Sequence, residues 1–176
     1  MLYIIFILAS AALIGLDQWV KAWTVAALAA PLAAGGSTPD APLPFLPGVV
    51  ELTRVHNTGA GWSSFAGPRW FRVGVSVAIV AAVIFVLARR IVRHPVGLAA
   101  AFLVVAGGLG NVIDRVRLGY VVDMFHFEFW PSYPVFNVAD ICIVVGGVLA
   151  AVYYLFLYDK YDARKKPDGE ADPPTE

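Results

Sequence analysis

The sequence predicts an all-α integral membrane protein: four transmembrane helices with a small extracytoplasmic β element. Three observations carry that prediction. Of 176 residues, 59% are hydrophobic and only 15% charged, and mean hydropathy is +0.71, a balance outside that of a soluble domain. Four long apolar stretches, 1–16, 73–88, 96–113 and 141–158, are separated by polar connections. Each falls short of the roughly 20 residues needed to cross a bilayer core, and three reach that length only by taking in a polar motif at one end. Those motifs therefore sit at membrane depth.

The first helix is predicted over about 2–23 and closes on "LDQWVK". The "AALAAPLAA" that follows contains A-x-A-like sites, but "MLYIIF" lacks the basic n-region of a secretory signal, and Asp17 and Lys21 come before any such site. A retained helix is expected. An extracytoplasmic loop spans about 24–70. Its first part, "PLAAGGSTPDAPLPFLPG", is too rich in Pro and Gly for a helix. The β-branched "VVELTRVHN" then predicts a short strand. That strand carries "HNTGAGWSS" to the membrane interface, where Trp62, Trp70 and Phe71 are expected as headgroup anchors.

The second helix is predicted over about 71–89 and the third over about 96–113, joined by the basic turn "RRIVRHP". After a connection comes the fourth, over about 138–158. Residues 1–158 make the transmembrane domain, and 159–176, charged and proline-bearing, are predicted as a disordered cytoplasmic tail. An even number of spans puts both termini on one side. Arg89, Arg90, Arg93, Lys160, Arg164, Lys165 and Lys166 are packed at helix ends, while Lys21, Arg54, Arg69, Arg72, Arg115 and Arg117 are scattered through polar motifs. The positive-inside rule makes the first set, and both termini, cytoplasmic.

With 13 basic and 13 acidic residues the net charge is zero, so no electrostatic footprint for nucleic acid exists. The single cysteine, Cys142, excludes an intramolecular disulfide and a CxxC motif and is expected to pack in the fourth helix. His56 and His126 lack the HExxH-like spacing of a zinc site. No metal and no cofactor are expected.

The chemistry must then lie in polar segments at the outward ends of the spans: Asp17 with Lys21; His56, Asn57 and Gly59; Asn111, Asp114 and Arg115; Asp123; His126 with Glu128; Asn137 and Asp140. Asp17 and Lys21, four apart, read as a structural ion pair closing the first helix. Asp114, beside Arg115, reads as a charge-compensated scaffold acid. Asp123 and Asp140 have only apolar neighbours and no adjacent cation. Two desolvated carboxyls facing each other hold one proton between them, which is the acid and base of a metal-free hydrolase. The bland alternative is that they cap helix ends, Asp140 at the head of the fourth helix above all. A proton-coupled transporter also uses buried acids, although four short spans with no broken-helix pair weigh against it. The glycines at 107, 108, 110, 146 and 147 are expected to draw the third and fourth helices together.

Taken in order, "LDQWVK", "NTGAGWS", "GNVIDRVRLGYVVDMF" and "FNVADICIVVGG", from about residue 16 to 147, resemble the lipoprotein signal peptidase (signal peptidase II) family. The resemblance implies a bacterial inner-membrane aspartic endopeptidase that removes signal peptides from prolipoproteins, cleaving before the diacylglyceryl-modified cysteine, with its site towards the extracytoplasmic face. By motif, Asp123 and Asp140 would be the catalytic pair. Asn57, Gly59, Asn111, Asp114, Arg115, Asn137 and Ala139 would bind substrate or shape the site. Lipid-modified prolipoproteins and membrane lipids would be the partners of a monomeric protein. Met124 and the pair Gly61–Trp62 depart from the residues common at those family positions.

Overall fold

The computed structural model describes residues 1–30, 42–59 and 69–163. Four helices in it are long and apolar enough to cross a membrane: α1 (Leu2–Ala27), α2 (Arg69–Ala88), α3 (Pro95–Arg117) and α4 (Val138–Phe156). Beside them lie three strands, β1 (Leu43–Leu46), β2 (Val50–Asn57) and β3 (Val121–Phe127), and a one-turn helix α5 (Tyr158–Tyr161).

The bundle is polar side in. On α1 the buried residues are Ser10, Asp17, Lys21 and Thr24, while Ile4, Ile5, Leu8 and Trp19 are exposed. Those four buried positions fall on one helical face. Lipid accepts the apolar side chains, so the polar ones are what must be turned inward. Helix α3 is the hub, packing against α1, α2 and α4. Only part of the glycine set serves the α3–α4 contact. A Cβ added at Gly107 would collide with the Ala139 carbonyl, and one at Gly146 would lie 3.0 Å from the Ala100 carbonyl. One at Gly110 would meet both Ala139 Cβ on α4 at 3.1 Å and Asp17 Oδ2 on α1 at 2.8 Å, whereas one at Gly108 would meet Val80 on α2 at 2.6 Å and Gly147 faces open space.

Two helices outrun their predicted ends. Helix α1 continues to Ala27, since no breaker comes before Pro31. Helix α3 continues to Arg117, because the chain meets no helix-breaking residue until Gly119, which takes a positive φ of 88°. Arg69 holds that end: its Nε donates to the Arg115 carbonyl at 2.6 Å and its Nη2 to the Val116 carbonyl, placing a cation on the C-terminal carbonyls of the helix. Asp114 and Arg115 are thus inside the last turns of α3.

The predicted strand is β2, and it is the centre of an antiparallel sheet of order β1-β2-β3. Strand β3 was not anticipated. Val121, Val122 and Met124 are all buried, so the segment lacks the alternation of a half-buried strand. At the other end of the bundle, Asp162 accepts from the backbone N–H of Arg93 (3.0 Å) and His94 (3.1 Å) and from the Tyr153 hydroxyl (2.6 Å). Residues 159–163, which include all of α5 but Tyr158, fall within the segment predicted as a disordered tail, and Asp162 ties them to the bundle; residues 164–176 lie outside the described residues. Of the expected interfacial anchors, Trp70 and Phe71 are exposed at the start of α2, and Trp62 lies outside the described residues.

Candidate active site

Strand β3 brings the first acid. Asp123 is 1% exposed, and β2 lies alongside with Asn57 opposite Val121, a diagonal two residues from Asp123. Residues two apart on a strand share a face, so Asn57 Nδ2 reaches Asp123 Oδ2 at 2.8 Å. The chain after β3 then folds back: the Phe136 carbonyl accepts from the N–H groups of Met124 (3.0 Å) and Phe125 (2.9 Å). That return sets Asn137 beside Asp123, and Asn137 Nδ2 donates to Asp123 Oδ1 at 2.6 Å.

Asn137 is also the N-cap of α4. Its Oδ1 accepts from the Asp140 N–H at 2.9 Å, while Asp140 Oδ2 accepts from the Asn137 N–H at 3.2 Å, a complete capping box. The capping reading of Asp140 therefore holds for one of its oxygens. The other, Oδ1, accepts from Asn111 Nδ2 on α3 at 2.8 Å. One asparagine thus joins both acids, and each acid has both oxygens held by N–H donors.

Burial first, and the charge of Asp140 second, push the Asp123 carboxyl up to about 7, against the opposing pull of the Asn57 and Asn137 hydrogen bonds and Lys21. A cavity of about 140 Å³ opens beside the acids. Asn57, Asn111, Arg115 and Asp140 line it, with Val121 and the Tyr133–Phe136 segment. Sequence reasoning did not select that segment, which holds no acid, base or amide side chain of the kind the search followed.

The remaining predicted residues divide. Arg115 lines the cavity, with its Nε buried and unpartnered among the described residues and Nη2 making only a long 3.5 Å contact to the Gly59 carbonyl. The Gly59 N–H donates to Asn57 Oδ1 at 2.9 Å, turning the chain out of β2. Ala139 does not line the cavity; it is buried where α3 crosses α4, and its N–H donates to Asp17 Oδ1 at 2.9 Å.

The cation in contact with Asp114 is Lys21 and not the expected Arg115. Successive helical residues point about 100° apart, so Asp114 and Arg115 face different neighbours. Asp114 turns to Lys21 at 3.1 Å, accepts from Gln18 Nε2 at 3.1 Å, and accepts from the Val122 N–H at 3.1 Å. Lys21 also pairs with Asp17 at 2.9 Å, as the four-residue spacing predicts. Gln18 was quoted within "LDQWVK" yet given no role; it bridges Asp17, Asp114 and the Gly110 carbonyl.

The other segments serve the fold. His126 Nδ1 meets Glu51 at 2.7 Å across the sheet, and Glu128 accepts from the Gly48 N–H. His56 stacks on Tyr120, and burial, helped by Arg54, lowers its pKa. Met124, one of the two departures from the family pattern, is fully buried with Leu52 and Val122 and does not line the cavity. The other, Gly61–Trp62, lies outside the described residues. Among the described residues, no three of His, Cys, Asp and Glu are grouped to hold a metal ion.

Residues 9–156 match the family model described as Signal peptidase (SPase) II. The chain is 41% identical over 162 residues to a lipoprotein signal peptidase of Enterococcus faecalis, covering 90% of this chain and 92% of that one. It is 36% identical over 148 residues to a lipoprotein signal peptidase of Streptococcus pyogenes serotype M6, covering 84% and 91%. Two solved bacterial membrane enzyme structures superpose with TM-scores of 0.71 and 0.70 at 26% and 27% identity. They cover 92% and 86% of this chain, and 92% of each solved chain is matched.

Proposed function

The chain belongs to the signal peptidase II family, aspartic endopeptidases of the membrane that remove signal peptides from prolipoproteins, and we propose that Asp123 and Asp140 are its catalytic pair. The observation that supports this most directly is Asn137, which bonds Asp123 through its side chain and Asp140 through its capping box. Two carboxyls tied to one residue, Asp140 at the wall of the cavity and Asp123 behind it with its carboxyl pushed up to about 7, are proposed to share a proton.

In the proposed reaction, the ionised member takes a proton from water as the water oxygen adds to the scissile carbonyl carbon, while the protonated member gives its proton to the carbonyl oxygen. The resulting gem-diol collapses. The carbon–nitrogen bond breaks as nitrogen takes the proton held by the first acid, and a hydroxyl proton returns to the second. The pair is then back in its starting state.

Arg115, which lines the cavity and whose Nε has no hydrogen-bond partner among the described residues, is proposed to meet oxygens of the substrate. Asn57, Asn111 and Asn137 hold the carboxyls, Gly59 shapes the turn beside them, and Ala139 keeps α3 and α4 close. Asp17, Lys21 and Asp114 form the polar lock between α1, α3 and α4. The substrate is proposed to be a prolipoprotein carrying a diacylglyceryl-modified cysteine, cut just before that residue by a monomer embedded among lipids. The test is to incubate purified protein with the lipidated precursor and, in parallel, with its unlipidated form. Cleavage of the first alone is expected; cleavage of both equally would remove the lipid from the recognition.

The basic α2–α3 turn and α5 meet at one end of the bundle and the sheet lies at the other. We assign the basic end to the cytoplasm of the bacterial inner membrane, which makes both termini cytoplasmic and turns the site outward. A reporter fused after Lys166 should read cytoplasmic and one inserted near Asp40 extracytoplasmic.

A further inference from the structure

Lys21 is buried to 3% exposure, yet none of its hydrogen-bonding capacity is wasted. An ammonium has three N–H donors and no acceptor. Here three oxygens meet it: Asp17 Oδ2 at 2.9 Å, Asp114 Oδ2 at 3.1 Å and Asn111 Oδ1 at 3.1 Å. Two of these are the carboxylates that balance its charge. The third is a neutral amide oxygen, and charge balance alone does not call for it.

That third bond has a direction. Asn111 Oδ1 accepts from Lys21 and also from Asn137 Nδ2 at 3.1 Å, which fills both of its lone pairs. The Asn111 amide cannot turn over, because its NH2 would then face an ammonium and a second NH2, donors against donors. Its Nδ2 is therefore committed to Asp140 Oδ1 at 2.8 Å. Asn137 is committed in the same way: its Oδ1 takes the Asp140 N–H, so its Nδ2 must serve Asn111 and Asp123. The orientation of both amides, and with them both carboxyls, traces back to two groups that can only donate: the Lys21 ammonium and a helix N–H.

We propose that Lys21, beyond its ion pairs, is a positioning residue of the hydrolytic site, fixing the Asn111 amide so that Asn111 and Asn137 hold Asp140 and Asp123 in register for the attack on the peptide bond. This rests on the reading of Asp123 and Asp140 as the catalytic pair. Lys21 lies two hydrogen bonds behind Asp140, through Asn111, and Asp17 and Asp114 lie one contact further back, on Lys21.

The experiment uses full-length protein in detergent, the diacylglyceryl-modified precursor as substrate, and three variants, with kcat, KM and melting temperature measured for each. In Lys21→Met the Asn111 amide loses its director, and kcat should fall about 100-fold, the scale of a small misplacement of reacting groups, with KM within about twofold. The double variant Asp17→Asn/Lys21→Met removes one charge of each sign. If Lys21 only balanced charge, that variant would regain both melting temperature and kcat; the positioning role expects the melting temperature to recover and kcat to stay low. Asn111→Asp decides the matter if neither Lys21 variant folds. It keeps an acceptor for Lys21 and Asn137 but has no N–H for Asp140, so kcat should fall while the protein still melts cooperatively. Recovery of kcat in the double variant, or wild-type kcat in Asn111→Asp, overturns the proposal. An Asp123→Asn control that still cleaves would instead overturn the catalytic pair, whatever the Lys21 variants do.

Discussion

Asp114 lies 3.1 Å from the ammonium of Lys21, on a different helix and 93 residues away in the chain by their numbers, and not against Arg115, its sequence neighbour. Lys21 in turn holds Asp17, so three charges on α1 and α3 form one lock. Replacing Asp114 by Asn leaves Lys21 with a single carboxylate in a buried place. Breaking a charged hydrogen bond there should cost about 2 kcal/mol. A lowered melting temperature in detergent is expected with reduced cleavage. An unchanged melting curve would show that the lock does not depend on this acid.

The two acids proposed as the catalytic pair should respond differently. Asp123 accepts from Asn57 at one oxygen and Asn137 at the other, and Asp140 from Asn111 and from the Asn137 N–H. An Asn in either place turns an NH2 towards one of those donors, but it also removes a buried charge, and the two effects oppose each other in stability. Cleavage depends on proton exchange and should fall by at least about 100-fold in Asp123→Asn and Asp140→Asn. A cleavage assay paired with a melting curve checks both. A folded Asp123→Asn that still cuts would mean the wrong pair has been named.

For Arg115→Lys, the charge stays and the planar fork is lost. Among the described residues the Arg115 side chain makes one hydrogen bond, its long contact to Gly59, so the proposal gives its planar fork to substrate. KM should rise about tenfold, roughly one good hydrogen bond to a charged group, with kcat largely kept. Steady-state kinetics on the lipidated precursor separate the two. Wild-type KM would remove Arg115 from substrate binding.

Asp123 binds its proton more tightly in the folded protein than in the unfolded chain, its carboxyl being pushed from the ordinary 3.8 to about 7 by burial and then by Asp140. Between those values the folded state holds more protons, so stability falls as pH rises through that window. Wild type should lose melting temperature relative to Asp123→Asn from about pH 4 to about pH 7, the two curves running parallel outside it. Activity should also decline on the alkaline side as Asp123 loses its proton and the pair is left without its acid. Parallel melting curves across the whole range would show that Asp123 is not desolvated.

The sequence alone determined the four spans, the strand at β2 and the family, and it singled out the acids at 123 and 140 as candidates. Each of these rests on a local property. A span is a run of apolar residues, β2 is a run of β-branched ones, and an acid without a neighbouring cation in an apolar stretch is conspicuous wherever the fold takes it. The Asp17–Lys21 pair was equally legible, because four residues are one helical turn. Tertiary structure alone decided the partners that cross between elements. Strand β3 had no period to read, since both its faces are covered. The Asp114–Lys21 contact is not the one adjacency suggested, because a helix points successive side chains apart and α1 supplies the nearer cation. Asn137 could be recognised as a helix cap from its place before α4, but its bond to Asp123 exists only because the chain after β3 folds back through Phe136. The polarity of the Asn111 amide lies furthest from the sequence: it depends on three elements meeting at one oxygen, and no pattern along a single segment encodes such a meeting.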